Sequence, residues 1–169
     1  HATSYGGGIS QSNATVIMRV YNCSFVSNSA GILGGAVYAE SNNFNLFHST
    51  FLGNFSNTAS CLITPSNLLK VRNCIMWGNN GTPIQGPVPT VDRCIIEGGY
   101  AGGTNILNVN PNFSDAIGRI KACSPAVDVA DSMSFISEDY DGSPRPFDGD
   151  GNSIAKWDLG AFEVQVPQA

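Results

Sequence analysis

The sequence predicts an all-β fold, a right-handed single-stranded parallel β-helix of about three to four coils with an irregular C-terminal cap. Three observations lead there. A seven-residue phrase recurs: NCSFVSN at 22–28, HSTFLGN at 48–54, NCIMWGN at 73–79 and, decayed, RCIIEGG at 93–99. Its small residues Cys23, Ser49, Cys74 and Cys94 stand 26, 25 and 20 positions apart, a period that signals a solenoid or array. Apolar residues alternate in runs of four or five between Asn, Gly and Ser, with no sustained helical period, which is the grammar of strands and corners.

Each repeat divides into about three short strands. The first follows a glycine pair, GGGI at 6–9 and GGAV at 34–37, with TASCLI at 58–63 in the corresponding place. Glycine at such a corner permits a positive φ and a close backbone approach. The second strand ends near Val20, Leu46 or Val71, and the third begins at the small residue. Val16, Met18 and Val20 share one parity; Cys23 and Phe25 resume on a shifted one after Tyr21 and Asn22. Leu46, Ser49 and Phe51, then Leu69, Val71, Cys74 and Met76, repeat the pattern and are the expected core. Asn28, Asn54 and Asn79 are expected to form an amide ladder, since asparagine tolerates the left-handed conformation and its side chain can bond an equivalent amide. Asn22 and Asn73 belong to a second row, interrupted by His48.

These coils occupy residues 1–104, and the capping segment 105–169. A solenoid that simply stops exposes strand edges that invite pairing. The Pro- and Asp-rich tail is expected to cover that edge, with Phe113, Val127, Val129, Trp157, Leu159 and Phe162 as plugs. The opening HATSYGGGIS has neither the basic start nor the apolar run of a signal peptide. The repeat is already under way at Gly6, so earlier coils are expected upstream, and the N-terminal edge is expected to associate with them or with another chain.

Composition narrows the function classes. Net charge is −5 and the eight Lys and Arg are scattered, so no basic patch points to nucleic acid. No apolar run is long enough to span a membrane. The five cysteines are an odd number without zinc-type spacing; three recur at one repeat position, as small buried hydrophobes would.

The GGAV and FVSN pair, with GGGI and FLGN, resembles the GGAI/FxxN repeat of polymorphic outer-membrane proteins and related bacterial surface β-helices over about residues 6–80. NPNF (110–113), CSPAVDVAD (123–131), DYDGSPRPFDGDGN (139–152) and DLGAFE (158–163) resemble, in that order, the closing segment of large secreted bacterial β-helix proteins of the choice-of-anchor type. Cys123, Ser143 and Phe162 stand where the family has Gly, Asn and Tyr. The resemblance implies a pectate-lyase-like solenoid, a secreted or cell-surface location and an adhesin-like role. It supplies no enzyme.

One stretch carries metal chemistry. DGDGN puts the oxygens of Asp148, Asp150 and Asn152 at alternate positions, as calcium loops do, with Asp139, Asp141 and Asp158 near in sequence. Ser153 and Leu159 stand where an EF-hand has Gly and Glu, and Asp-Gly pairs also build plain tight turns. Ca²⁺ here would rigidify the cap. Arg145, between two prolines, is expected in a structural ion pair. Lys70, Arg72 and Arg93 could line one face of successive coils, as the basic residues of a polysaccharide lyase do, yet no acidic cluster accompanies them. Paired carboxylates for glycoside hydrolysis are absent from the strands too.

No residue is therefore assigned a catalytic or cofactor-binding role. The expectation is a non-catalytic extracellular structural or adhesive module of a secreted bacterial surface protein, with glycan binding among its candidate roles and polysaccharide or the surface and secretion machinery as partners. The alternative is a carbohydrate-active, polysaccharide lyase-like enzyme or the C-terminal part of one. The two differ in whether basic and acidic side chains converge in a lateral groove.

Overall fold

The computed structural model describes residues 1–13, 15–40, 43–64, 70–86 and 90–165. Their strands, in chain order, are β1 (Ile9–Gln11), β2 (Met18–Tyr21), β3 (Ser24–Val26), β4 (Ser29–Ala30), β5 (Val37–Ala39), β6 (Phe44–Phe47) and β7 (Thr50–Leu52). They continue with β8 (Phe55–Ser56), β9 (Leu62–Ile63), β10 (Lys70–Arg72), β11 (Ile75–Trp77), β12 (Ile84–Gln85), β13 (Thr90–Ile96) and β14 (Thr104–Leu107). Every strand pair is parallel.

The architecture corrects the expected right-handed single-stranded parallel β-helix of three to four coils. The strands form a four-stranded sheet β1-β5-β9-β12, an eight-stranded sheet whose path runs β2-β6-β10-β13-β11-β7-β3 with β14 on β13, and the pair β4-β8. No closed solenoid or barrel is present among the described residues. The physical reason is β13. It runs seven residues through the corner at Arg93, where φ is +52°. It therefore pairs with both β10 and β11 and joins into one sheet two strand sets that the repeat presents as separate.

The repeat does set the register. Ile9 pairs with Val37 and Val37 with Leu62. Val20 pairs with Leu46, Leu46 with Val71 and Val71 with Val91. Phe25 pairs with Phe51 and Phe51 with Met76. The core lies between the sheets, and Val20, Phe25, Leu46, Phe51, Val71, Cys74 and Met76 are all in it. Val16 departs from its expected inward place, being 46% exposed, and Leu69 lies outside the described residues. All five cysteines are free thiols. Cys61, Cys74 and Cys94 are fully buried, and burial drives the first two thiols well above the ordinary range.

The glycine pair has a steric cause. Gly34 takes φ +66°, and a Cβ on Gly35 would sit 2.3 Å from the Ser60 carbonyl oxygen. Only glycine lets the chain pass that close to the next repeat. The amide ladder forms as well. Asn28 and Asn54 donate through Nδ2 to the Oδ1 of Asn54 and Asn79 at 3.0 and 2.9 Å, and each backbone N–H reinforces the contact at 3.0 and 2.9 Å.

Beyond β14 the described chain has only isolated bridges. It contacts the outward side of the repeats at Asn22, Ser24, His48, Thr50, Asn73 and Arg93. Asn22, His48, Asn73 and Arg93 share one corner, all at positive φ between 39° and 57°. Val127 and Leu159 pack with Ile75 and Ile95 in a second core. Phe162 is also buried, while Val129 is 38% exposed. Among the described residues no helix is long and apolar enough to cross a membrane.

Candidate functional site

The outward parity of β2, β6 and β10 builds a groove. Met18, Val20, Leu46 and Val71 point into the core, so alternation along a strand turns Arg19, Tyr21, Asn45, Phe47, Lys70 and Arg72 outward. Parallel pairing aligns them in two rows: Arg19, Asn45 and Lys70, then Tyr21, Phe47 and Arg72. The tail closes one side. Met133 and Ile136 pack with Phe47, and this sets the Phe135 ring 5.9 Å from Phe47 and 6.2 Å from Tyr21, both edge-on. The resulting cavity of about 620 Å³ is lined by Arg19, Tyr21, Asn45, Lys70 and Phe135, among others. A second hollow, of about 290 Å³, continues it past Phe47 and Lys70 to Arg72.

Charge in the groove is uneven. Arg72 donates to Asp92 at 3.2 Å and to Asp131 at 2.5 Å, and Arg93 pairs with Asp131 at 2.9 Å. Burial would raise the Asp92 carboxyl, yet hydrogen bonds from Thr104, Asn105 and Arg72 hold it below its ordinary range. Arg19 and Lys70 are exposed and join no ion pair among the described residues. Among the described residues no carboxylate lines either hollow. Lys70, Arg72 and Arg93 thus do not act together: the first faces the groove, and the other two hold the tail.

A second cluster gathers carboxylates. Asp128, Asp148 and Asp150 bring ligand oxygens within 4.8 Å of one another and could hold a metal ion. Asp128 is buried, Asp148 half-buried and Asp150 exposed. Burial pushes the Asp128 carboxyl up, and the neighbouring Asp150 charge adds to it. Asp128 also accepts from the backbone N–H groups of Asp150 at 2.8 Å and Lys156 at 3.2 Å. Asp148 caps its own loop by accepting from the N–H groups of Gly151, Asn152 and Ser153. Asn152 turns its amide nitrogen to Asp150 at 2.9 Å, and its Oδ1 accepts from Ile154 N–H at 2.8 Å. Two of the three expected ligands, Asp148 and Asp150, therefore meet an unexpected third, Asp128. Asp139 caps the following turn at Asp141 and Ser143, and Asp141 pairs with Arg119.

The third cluster is fully buried and locks tail to repeat. Arg145 lies with Nε 3.0 Å from Glu163 Oε2, both side chains 0% exposed, at an angle that makes an ion pair rather than a hydrogen bond. Its Nη2 donates to the Gly160 carbonyl at 3.0 Å, and its Nη1 is 2.6 Å from His48 Nδ1. A guanidinium can only donate, so His48 Nδ1 is the acceptor toward Arg145, while its Nε2 faces the Asn73 amide nitrogen at 2.9 Å. Burial and the adjacent Arg145 charge hold His48 down to about 3. Burial pushes the Glu163 carboxyl up, with help from the Asp158 charge, and the adjacent Arg145 cation pulls against it; burial raises Asp158 as well. His48 occupies a row held by asparagine in neighbouring repeats, and there it meets Arg145 of the tail.

Of the groove residues, Lys70 and Arg72 stand out in the sequence by charge. Tyr21 and Phe47 had a signal in their outward parity, whereas Phe135 lies in a loop with none. Asp128 sits within CSPAVDVAD, twenty residues before its cluster partner Asp148. Tyr5 and Tyr38 stack on each other at 4.8 Å. The Glu40 hydrogen bond pushes Tyr38 up to about 12. No family model matches the chain, and no curated protein or solved structure matches it either.

Proposed function

We propose that this chain is a non-catalytic extracellular structural and adhesive module of a secreted bacterial surface protein, and that it binds polysaccharide through the groove over β2, β6 and β10. The observation that carries the reading is the open cavity of about 620 Å³ with Tyr21 and Phe135 at its rim and Asn45 and Lys70 in its lining. Aromatic faces suit the apolar sides of sugar rings, and amides and cations suit hydroxyls. The lining holds no carboxylate, and the nearby Asp92 and Asp131 are engaged by Arg72 and Arg93. Glycoside hydrolysis uses a pair of carboxyl groups, so binding fits this lining better than hydrolysis. Screening the protein on a glycan array, with Tyr21→Ala/Phe135→Ala beside it, tests the reading. The double variant should bind roughly tenfold more weakly. Equal binding by both proteins would place the sugar elsewhere, and no binding by either would end the proposal.

Calcium is the ion proposed for Asp128, Asp148 and Asp150, since three carboxylates make a hard oxygen set. Its role would be to neutralise their repulsion and stiffen the 148–153 loop. A site filled at a hundred times its Kd stabilises by about 2.7 kcal/mol. EDTA should then lower the melting temperature by roughly 5–10 °C, with calcium restoring it. An unchanged melt removes the ion.

A further inference from the structure

We infer that the groove over β2, β6 and β10 takes an acidic glycan, a polyanionic sugar chain lying across the strands rather than along them. This rests on the glycan-binding reading above and adds the ligand's charge and direction. Arg19, Asn45 and Lys70 are Cα partners on three adjacent parallel strands. At about 4.8 Å between neighbouring strands, the two cations stem from backbone points roughly 9–10 Å apart, with the Asn45 amide between them. Such a row runs perpendicular to the strands, so an extended ligand that meets both cations must cross them.

The sign of the ligand follows from what the row lacks. The chain as a whole carries −5, yet this lining contains Arg19 and Lys70 and no carboxylate. Elsewhere on the same face arginines are neutralised: Arg72 and Arg93 share Asp131, and Arg72 also meets Asp92. Two exposed cations held in register, with no ion-pair partner among the described residues, complement anionic groups on a bound polymer. Tyr21 and Phe135, 46% and 58% exposed, give the rings that separate a sugar chain from a plain polyanion.

The test compares alginate, a uronate polymer, with the same polymer after its carboxylates are reduced to alcohols, and with polyglutamate. Binding is measured for wild type, Arg19→Gln, Lys70→Gln and Tyr21→Ala/Phe135→Ala, each checked for folding by circular dichroism. Alginate should bind, weaken roughly fivefold or more between about 0.05 and about 0.5 M NaCl, and lose roughly fivefold with either Gln variant. Equal binding of native and reduced alginate, insensitive to salt and to both Gln variants, overturns the acidic preference and leaves the glycan reading standing. Polyglutamate bound as tightly as alginate, with no loss in the aromatic variant, overturns the sugar. Failure of both alginate forms to bind overturns this inference, and the glycan array then decides the reading beneath it.

Discussion

Arg145→Met is expected to lower the unfolding free energy by about 3–5 kcal/mol, the cost of removing one partner from a buried ion pair. Methionine fills similar space, so the loss would be electrostatic. Glu163 would be left as a buried carboxyl beside Asp158 with no cation to support its charge, and the His48 Nδ1 and Gly160 carbonyl acceptors would each lose a donor. Because the cluster ties residues 145–163 to the corner at His48, the tail should loosen before the sheets do. Trp157, partly buried against the second core, reports that step by fluorescence in a denaturant titration. The double variant Arg145→Met/Glu163→Gln removes the stranded acid and should cost less than the two single changes added together, a coupling that a double-mutant cycle measures. A single-variant loss below about 1 kcal/mol would mean that the pair is solvated in solution, and the account of the tail's attachment would be wrong.

Phe51→Ala is expected to cost a similar amount, about 3–5 kcal/mol, by the different route of a cavity in the main core. Phe51 is fully buried and stacks on Phe25 with ring centroids 4.7 Å apart and planes 13° from parallel. It pairs with Phe25 on one side and Met76 on the other, so truncation removes contacts from both neighbouring repeats. Phe25→Ala should cost less, because Phe25 is already 7% exposed and its strand lies at the sheet edge. Equal costs, or a neutral Phe51→Ala, in chemical denaturation would contradict the register.

How much of this was legible in the sequence depends on the range of the interaction. Local alternation and the repeat period lead directly to the partners of Val20, Phe25 and Val37, since parallel strands carrying the same phrase bury the same positions. They lead as directly to the Asn28, Asn54 and Asn79 ladder. The closed solenoid does not follow from them. Whether successive strands close into separate faces depends on the conformation of a few corner residues, and β13 passes through Arg93 without breaking. The candidate sites were half legible. Lys70, Asp148 and Asp150 announce their chemistry by type and spacing. Their companions Phe135 and Asp128 come from loops, where no period constrains which side chain meets which strand.

Residues 22–28 illustrate the division. By itself the sequence determined that Cys23 and Phe25 align with Ser49 and Phe51, because a period-2 pattern repeated every 20–26 residues admits one register that buries every apolar set. Tertiary structure alone decided what the corner at Asn22, His48, Asn73 and Arg93 is for. Those residues turn the chain with a positive φ and then point their polar groups outward, where the tail's Glu138, Arg145, Asp131 and Val129 meet them. Contacts spanning 36 to 116 residues leave no periodic trace. They depend on how an irregular tail fits a finished surface, and only the folded chain settles that.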